Sequence, residues 1–196
     1  MRGVIFKLLE DVVIDQHGRD TWEALVATTG VEGLYVDQED YPDLEFEALL
    51  TAAGTALSMD RNAVLRWFGI QSTPLLAQRY PALFADQTDA RAFVSGVNDV
   101  IHAAVRAQYP GIQCPHFRLF ETSDRALMLD YRSDRRMCAL AEGFVLGASA
   151  YFGQEVEFSH ETCVEYGGHA CVMRIQWPPA MKPARNSAPY PRSVSI

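Results

Sequence analysis

The sequence lacks an apolar run long enough to cross a membrane. A transmembrane helix needs roughly 18 consecutive apolar residues, and no stretch of the 196 residues approaches that length. The opening residues MRGVIFKLLED also reach acidic side chains too early for the apolar core of a secretory signal. We therefore expect a cytoplasmic protein that makes no membrane contact.

Positive charge is also scarce. The chain has 17 basic and 25 acidic residues, a formal net charge of −8 and a pI near 5.1. A field of this sign repels phosphate backbones, so the composition argues against nucleic-acid binding. Hydrophobic residues make up 48% of the chain and charged residues 21%, which is typical of a folded globular domain.

Motifs of several common enzyme classes are missing as well. The sequence has no glycine-rich phosphate-binding loop, no G-x-S-x-G turn that presents a nucleophilic serine and no HExxH zinc-protease helix. The acidic clusters at residues 37–43 and 45–47 are interpreted as solvated surface. We expect a protein that is not an enzyme.

Hydrophobic spacing predicts an α+β fold. The helical period recurs over residues 3–17, 20–29, 44–56 and 60–68, with Asp60 as an N-cap, and in a longer helix from residue 88 or 89 to about 108. Other patterns predict strands at 117–121, 126–131, 155–158 and 171–176, and a helix over 134–152. The prediction is therefore a helical N-terminal lobe followed by a lobe with an antiparallel sheet and helices.

The stretch 178–196 differs from the rest of the chain. It contains five of the ten prolines, and its charged residues are Lys182, Arg185 and Arg192. It shows no hydrophobic periodicity. These features predict a disordered tail that serves as a linker or a docking segment.

Four residues have the chemistry and spacing of a metal site. His160 and Cys163 are separated by two residues, Cys171 follows in the next predicted strand, and Cys138 lies on the preceding helix. One imidazole and three thiolates form the closed tetrahedral set typical of structural zinc. Buried free cysteines are the alternative, and His169 is a competing ligand that spacing does not exclude.

Two further features carry polar chemistry. His102 lies in the predicted helix that ends near residue 108, but it points away from the apolar stripe, so periodicity alone favours a solvent-facing or structural histidine. Tyr131, Ser133 and Arg135 face the same side of an extended chain. Together they could bind one anion, because the arginine fork suits carboxylate or phosphate. The pattern alone favours solvated polar groups at a strand end.

Taken together, these motifs resemble the haem-nitric oxide/oxygen binding (H-NOX) family, the sensor domain also found in soluble guanylate cyclases. The resemblance runs from Met1 to about Trp177. It rests on the opening MRGVIF with the following Leu-Glu pair, on VNDVIH ending at His102 and followed by YPG, and on YRSDR at residues 131–135.

The resemblance implies one haem sensor domain over residues 1–177. Its distal helical lobe would span about 1–60 and its proximal α+β lobe about 61–177, with haem b between them. His102 would be the axial ligand to the haem iron. The propionate groups would be held by Tyr131, Ser133 and Arg135. Haem would also be contacted by Pro115, which matches a family proline that helps to distort it, and by Ile5 and Leu9 from the distal lobe.

The resemblance also bears on gas selectivity. Oxygen-binding members of the family place a tyrosine five residues beyond the arginine of the motif, where this chain has Leu140, and the neighbouring Phe144 is also apolar. Bound dioxygen gains from a hydrogen-bond donor, whereas nitric oxide binds ferrous haem in an apolar pocket. We expect selectivity for nitric oxide over oxygen, with carbon monoxide as a further ligand. A tyrosine from elsewhere in the chain is the alternative source of a donor.

Signalling follows from the same resemblance. Nitric oxide would weaken the bond between the iron and His102, and the two lobes would then rotate relative to each other. Similar stand-alone bacterial members act on a histidine kinase or on a cyclic-di-GMP synthase or phosphodiesterase. Some members also carry the zinc site, which supports Cys138, His160, Cys163 and Cys171 as ligands, with either a structural or a redox-sensing role.

A second resemblance covers only the C-terminal part of the chain. The segment CVEYGGHAC at residues 163–171 is similar to the V4R small-molecule-binding domain. That similarity implies a haem-free binding module or a zinc-stapled interaction module. It leaves the first 110 residues, His102 included, without an explanation.

Overall fold

The computed structural model describes residues 1–178. The predicted tail therefore lies, apart from Pro178, outside the described residues. None of the described helices is both long enough and apolar enough to span a membrane. The α-helices are α1 (Gly3–His17), α2 (Arg19–Thr29), α3 (Asp43–Leu57), α4 (Arg61–Arg79), α5 (Ala82–Ala85), α6 (Ala90–Ser95), α7 (His102–Gln108) and α8 (Cys138–Tyr151).

The first four helices bury their apolar faces against one another. Burying one large apolar side chain contributes roughly 1.5–3 kcal/mol relative to leaving it exposed, so this packing outweighs the weak intrinsic stability of short helices. Local signals set the ends: Asp60 caps α4 by accepting from the Ala63 N–H at 2.8 Å, and α2 stops at the left-handed Gly30. The first core cluster is centred on Phe6, Leu9, Val12, Phe46, Leu49, Leu50, Val64, Leu65 and Phe68.

Four antiparallel strands form the sheet of the C-terminal half: β1 (His116–Glu121), β2 (Leu127–Arg132), β3 (Glu157–Thr162) and β4 (Cys171–Gln176). Their order is β1-β2-β4-β3, and β2 is buried over its first five residues. The register pairs Tyr131 with Phe117 on one side and with Cys171 on the other. The sheet and α8 enclose a second core cluster that includes Leu129, Val145, Met173 and Ile175. The α+β fold predicted from the sequence is confirmed.

Two helix predictions need correction. The long helix expected from residue 88 or 89 to 108 is interrupted by a π-helical segment, Val97–Ile101, between α6 and α7. Although Val97 packs against the second core cluster, this segment and α7 have no fully buried residues, so little core packing holds them to regular α-helical geometry. Conversely, α4 runs through Pro74 to Arg79, well beyond the predicted end at residue 68. Its buried packing outweighs the hydrogen bond that a proline removes.

Helices α4 and α8 approach each other closely enough for their backbones to touch. A Cβ atom on Gly69 would lie 2.7 Å from both the Leu140 carbonyl oxygen and the Phe144 nitrogen, and one on Gly143 would overlap the Arg66 carbonyl. A residue larger than glycine cannot be placed at either point unless the helices separate. The two core clusters thus meet along a contact made of main chain.

We expect Gly143→Ala to lower the free energy of unfolding by about 1–3 kcal/mol, because the added methyl group meets main-chain atoms that cannot rotate away. Helix propensity alone predicts the opposite sign, since alanine is favoured over glycine in a helix. Urea unfolding measures the difference. Gly96→Ala is the matched control, because its Cβ would have no neighbour closer than 3.5 Å. Equal stability of the Gly143→Ala variant would contradict the close approach.

Candidate functional site

His102 is the first residue of α7, directly after the π-helical segment. Its ring stacks on Phe117 with the centroids 5.2 Å apart, and Phe117 in turn packs against Tyr131 at 5.6 Å. The Nδ1 atom of His102 is buried and has no hydrogen-bond partner among the described residues. Burial, and secondly the charge of Arg106, lower the pKa of His102 to about 4. The side chain is therefore a neutral imidazole at pH 7, the form that binds metal ions.

Few contacts hold the segment that carries His102. The Asn98 side chain donates to the Phe117 carbonyl oxygen at 2.6 Å, which ties the π-helical segment to β1. Arg106 donates to the Asn98 carbonyl oxygen at 3.3 Å. Helical segments with so little buried surface open at low free energy, so this part of the fold can respond to a force on His102.

The predicted anion-binding residues lie at the end of β2, with Tyr131 inside the strand and Ser133 and Arg135 just after it. Ser133, Arg135 and Pro115 line one cleft of about 610 Å³, whereas Tyr131 and Ser133 line an adjoining one of about 380 Å³. Burial raises the pKa of the Tyr131 phenol, against hydrogen bonds from Ser133 and the Met137 backbone. The phenol is therefore protonated at neutral pH and can act as a donor.

Asp43, at the start of α3, binds the arginine of this motif. Its carboxylate accepts from Arg135 Nε at 2.8 Å and contacts the Met1 ammonium at 2.8 Å. Although burial raises the pKa of Asp43, the hydrogen bonds from Met1 and Arg135 lower it below its ordinary value. The Asp43 side chain is 46% exposed, so it lies at the surface, as predicted for the acidic cluster at residues 37–43, but it also forms two ion pairs. No local signal in the sequence identifies a partner 92 positions away.

The four residues expected on the distal side belong to one apolar group. Leu9 is part of the first core cluster, and Ile5, Leu140 and Phe144 pack against it. Leu140 and Phe144 lie four residues apart on α8, so they share one face of that helix. The structure therefore brings these side chains together on the face of α8 that packs against the N-terminal helices. His102, in contrast, lies beside the second cluster.

Two tyrosines belong to the same cluster, and other groups engage their hydroxyls. The Tyr35 hydroxyl lies 3.5 Å from a Glu45 carboxylate oxygen. The Tyr41 hydroxyl accepts from the Val36 N–H at 2.9 Å and lies 3.3 Å from Glu39.

The residues that the resemblance assigns to haem are suited to that group. The deciding observation is the neutral imidazole of His102, with a buried nitrogen that no described residue satisfies. Buried polar atoms without partners are rare in folded proteins and call for a ligand or a water molecule. Arg135 supplies the cation that propionate groups require. Phe117, whose ring stacks on the imidazole, is not predicted from the sequence because only the packing of α7 against β1 brings it to His102.

A second candidate site is formed by three buried cysteines. The sulfur of Cys163 lies 3.6 Å from that of Cys138 and 3.7 Å from that of Cys171, and all three lie within 4.8 Å of one another. With metal–sulfur distances near 2.3 Å, a tetrahedral ion separates its sulfur ligands by about 3.8 Å. Both distances from the Cys163 sulfur thus match this spacing, and the third pair lies within 4.8 Å. Burial raises the pKa of the Cys138 and Cys171 thiols, so thiolates there need a cation.

Neither histidine considered for this site is part of the group of atoms within 4.8 Å. His160 Nε2 lies 3.3 Å from Glu142 Oε2, and His160 Nδ1 is buried without a partner among residues 1–178. His169 is exposed and lines the same cleft as Cys171. Arg66 also contacts Glu142; although burial opposes it, His160 and Arg66 lower the pKa of that carboxyl group.

Comparisons with known proteins give consistent matches. Residues 2–160 match the family model described as haem-NO-binding. The fold is similar to an H-NOX protein from S. oneidensis in the Fe(II)NO state, with a TM-score of 0.84 and 30% identity over 91% of this chain and 100% of that chain. An NMR structure of an H-NOX domain from Shewanella oneidensis in the Fe(II)CO state matches with a TM-score of 0.81 and 31% identity, over 91% of this chain and 99% of that chain.

A more distant match supports the fold alone. The unliganded Fe(II) H-NOX protein from K. algicida has a TM-score of 0.80 and 23% identity over 93% of this chain and 99% of that chain. A search of curated proteins finds no match.

The low pKa of His102 predicts how the stability of the haem-free protein depends on pH. The folded-state pKa, about 4, is below the unfolded value near 6.5, so the stability it contributes is present above pH 6.5 and is lost as pH falls towards 4. We expect His102→Gln to reduce this loss by about 3 kcal/mol at most. Urea unfolding of the haem-free protein between pH 7 and 4 measures it. His17→Gln, which changes an exposed histidine, should leave the profile as it is in the unmodified chain.

Proposed function

This chain belongs to the haem-NO-binding (H-NOX) family, and from that premise we propose that it is a cytoplasmic gas sensor, selective for nitric oxide over oxygen, that regulates a separate signalling protein. H-NOX domains are haem-binding sensors, not enzymes. The observation that carries the proposal is the neutral, half-buried imidazole of His102 with its unsatisfied nitrogen. The family match covers the N-terminal region that a V4R-like binding module leaves unexplained.

Haem would supply the iron at which a diatomic gas binds. The chain's own contribution begins with His102, which would bind the haem iron and whose ring is oriented by its stack on Phe117. Tyr131, Ser133 and Arg135 would hold the propionates by hydrogen bonds and by charge. Arg135 would be shared with Asp43, so anion binding in this cleft is linked to the start of α3.

Selectivity rests on what surrounds the gas. Ile5, Leu9, Leu140 and Phe144 present hydrocarbon and aromatic surface, which offers bound oxygen no hydrogen bond. The hydroxyls of Tyr35 and Tyr41 are engaged by Glu45, Val36 and Glu39. Nitric oxide needs no donor to bind ferrous haem tightly. Carbon monoxide is proposed as a further ligand, in keeping with the Fe(II)CO state of a related structure.

Signal transmission would begin with a displacement of His102, the residue that would hold the haem. Its helix and the preceding π-helical segment have no fully buried residues, and Val97 packs only at the edge of the second core cluster, so they can shift with little loss of buried surface. The shift would reach β1 through Asn98, which bonds the Phe117 carbonyl oxygen. The two lobes would then change their relative orientation, which biases a two-state equilibrium. The lobe boundary near residue 60 stays a prediction, with Val64, Leu65 and Phe68 of α4 packed in the first cluster.

The partner is proposed on the family resemblance alone. Stand-alone members of this type imply a histidine kinase or a cyclic-di-GMP synthase or phosphodiesterase. A purified candidate partner tests this: its activity should change with the nitric oxide state of the sensor and stay constant when the sensor is omitted.

We further propose that Cys138, His160, Cys163 and Cys171 bind one zinc ion. The support is the group of three buried sulfurs, in which both distances from the Cys163 sulfur match the spacing in a tetrahedral zinc site. Such an ion would join α8 to β4 and to the turn after β3. It would have no open coordination position for catalysis.

Absorption spectra of the reduced protein test the sensor directly. We expect an intense haem band that is unchanged in kind by brief exposure to air and shifted by nitric oxide. Leu140→Tyr should create a stable complex with oxygen, because the phenol adds a donor on the distal side. Leu140→Phe adds a ring of similar size without a hydroxyl and should not.

A stable oxygen complex of the unmodified protein would contradict the proposed selectivity. A colourless protein that takes up no added hemin would contradict haem sensing itself.

Replacing the axial histidine separates haem binding from signalling. In His102→Gly supplied with imidazole, haem should bind, but the effect of nitric oxide on the partner should be largely lost, since the imidazole is no longer attached to α7. Partner activity with and without nitric oxide is the measurement. Ala103→Gly is the matched control, because it places a glycine at an exposed position of the same helix. A full response of His102→Gly would disprove this route.

A further inference from the structure

Arg66, Glu142 and His160 form a chain of polar contacts that links α4, α8 and β3. Arg66 Nε lies 2.8 Å from Glu142 Oε1, and Arg66 Nη2 donates to Glu142 Oε2 at 3.0 Å. His160 Nε2 lies 3.3 Å from the same Oε2 atom. The Glu142 side chain is only 12% exposed, so water competes weakly for these contacts.

The second ring nitrogen of His160 is the unusual atom in this arrangement. When Nε2 carries the proton shared with a carboxylate, the lone pair of the neutral ring is on Nδ1. His160 Nδ1 is buried and has no partner among the described residues. A buried lone pair is unfavourable unless it accepts a hydrogen bond or binds a metal ion.

Glu142 and His160 are both close in the chain to residues of the cysteine cluster. Glu142 is one helical turn beyond Cys138 on α8, so the two side chains share a face. His160 precedes Cys163 by three residues, across the irregularity in register between His160 and Thr162. Three sulfurs with tetrahedral spacing leave one corner for another ligand.

We propose that Glu142 is a positioning residue of the metal site, which orients His160 so that Nδ1 is the fourth ligand. This inference rests on the zinc site put forward under Proposed function. A histidine that binds zinc usually donates its other N–H to a carboxylate, which fixes the ring and its tautomer. Arg66 holds that carboxylate in place, so the metal is tied to α4 as well as to α8.

The alternative role for Glu142 is only to bind Arg66 and join the two helices. Both roles predict some loss of stability when Glu142 is replaced. They differ at the metal, because only a positioning residue changes zinc affinity, the ligand field and the state of the imidazole nitrogens.

Zinc affinity of the full-length haem protein provides the first measurement, by competition with a colorimetric chelator. We expect Glu142→Ala to weaken zinc binding by roughly 10- to 100-fold, and Glu142→Gln to weaken it less because an acceptor oxygen remains. Glu161→Gln is the matched control, since it removes the same charge from the exposed residue next to His160. Its affinity should stay within about twofold of the unmodified chain, the scatter expected for a surface substitution.

The absorption spectrum of the cobalt-substituted protein is a second measurement, and it does not depend on folding stability. We expect the thiolate charge-transfer bands to persist in Glu142→Gln while the d–d bands shift, since the imidazole is the ligand that is disturbed. Long-range proton–nitrogen NMR of the zinc protein, with its haem in the diamagnetic carbon monoxide state, should show His160 protonated on Nε2 and metal-bound through Nδ1.

The possible results separate the two proposals. Unchanged zinc affinity and unchanged cobalt spectra in both Glu142 variants, or zinc bound through Nε2, would overturn the positioning role and leave the zinc site intact. An unmodified protein that takes up no zinc would overturn both. If Glu142→Ala fails to fold, Glu142→Gln decides the question alone.

Discussion

The contact between the backbones of α4 and α8 sets the position of the residues that α8 contributes to the candidate sites. Gly69 and Gly143 allow the two helices to touch, and this contact fixes both the separation and the rotation of α8. Leu140 and Phe144 on one side of α8 pack against the first core cluster. On another side of α8, Cys138 contacts Cys163 and Glu142 contacts His160. One helix thus carries both the apolar residues proposed for the distal side and one of the three buried cysteines.

The two parts of the site differ in how firmly they are held. Helix α8 is buried along much of its length, and its register relative to α4 is restricted by main-chain contact. Helix α7 has no buried residues and is attached mainly through the ring of His102 and the side chain of Asn98. A sensor needs this contrast, because a ligand can only shift an element whose two positions differ little in free energy.

Local signals in the sequence were sufficient for much of the fold. The bounds of α1, the Asp60 cap of α4 and the pairing of β1 with β2 all follow from periodicity, capping chemistry and turn residues close by in the chain. The family motif identifies His102 as a candidate ligand, whereas periodicity does not. Periodicity assigns a helical histidine to the core or to the surface from its neighbouring residues alone. The assigned roles of the site residues stay predictions.

Contacts between distant segments could not be predicted in this way. Phe117 stacks on His102, Asp43 binds Arg135, and Glu142 joins Arg66 to His160. Each depends on the tertiary fold, and nothing in the neighbouring sequence marks the residues as partners. The same reason explains the end of α4, where packing against α8 carries the helix past Pro74.

The π-helical segment before His102 has a mechanical consequence. A π-helical turn closes its hydrogen bonds one residue later than an α-helical turn. The turn at Val97–Ile101 therefore contains one residue more than an α-helical turn would. Rewinding this turn as α-helix would rotate everything after it by about 100° and move it about 1.5 Å along the axis. His102 is the first residue beyond that turn. A change of one hydrogen-bond register would therefore rotate and shift the imidazole of His102 while the helices stay folded.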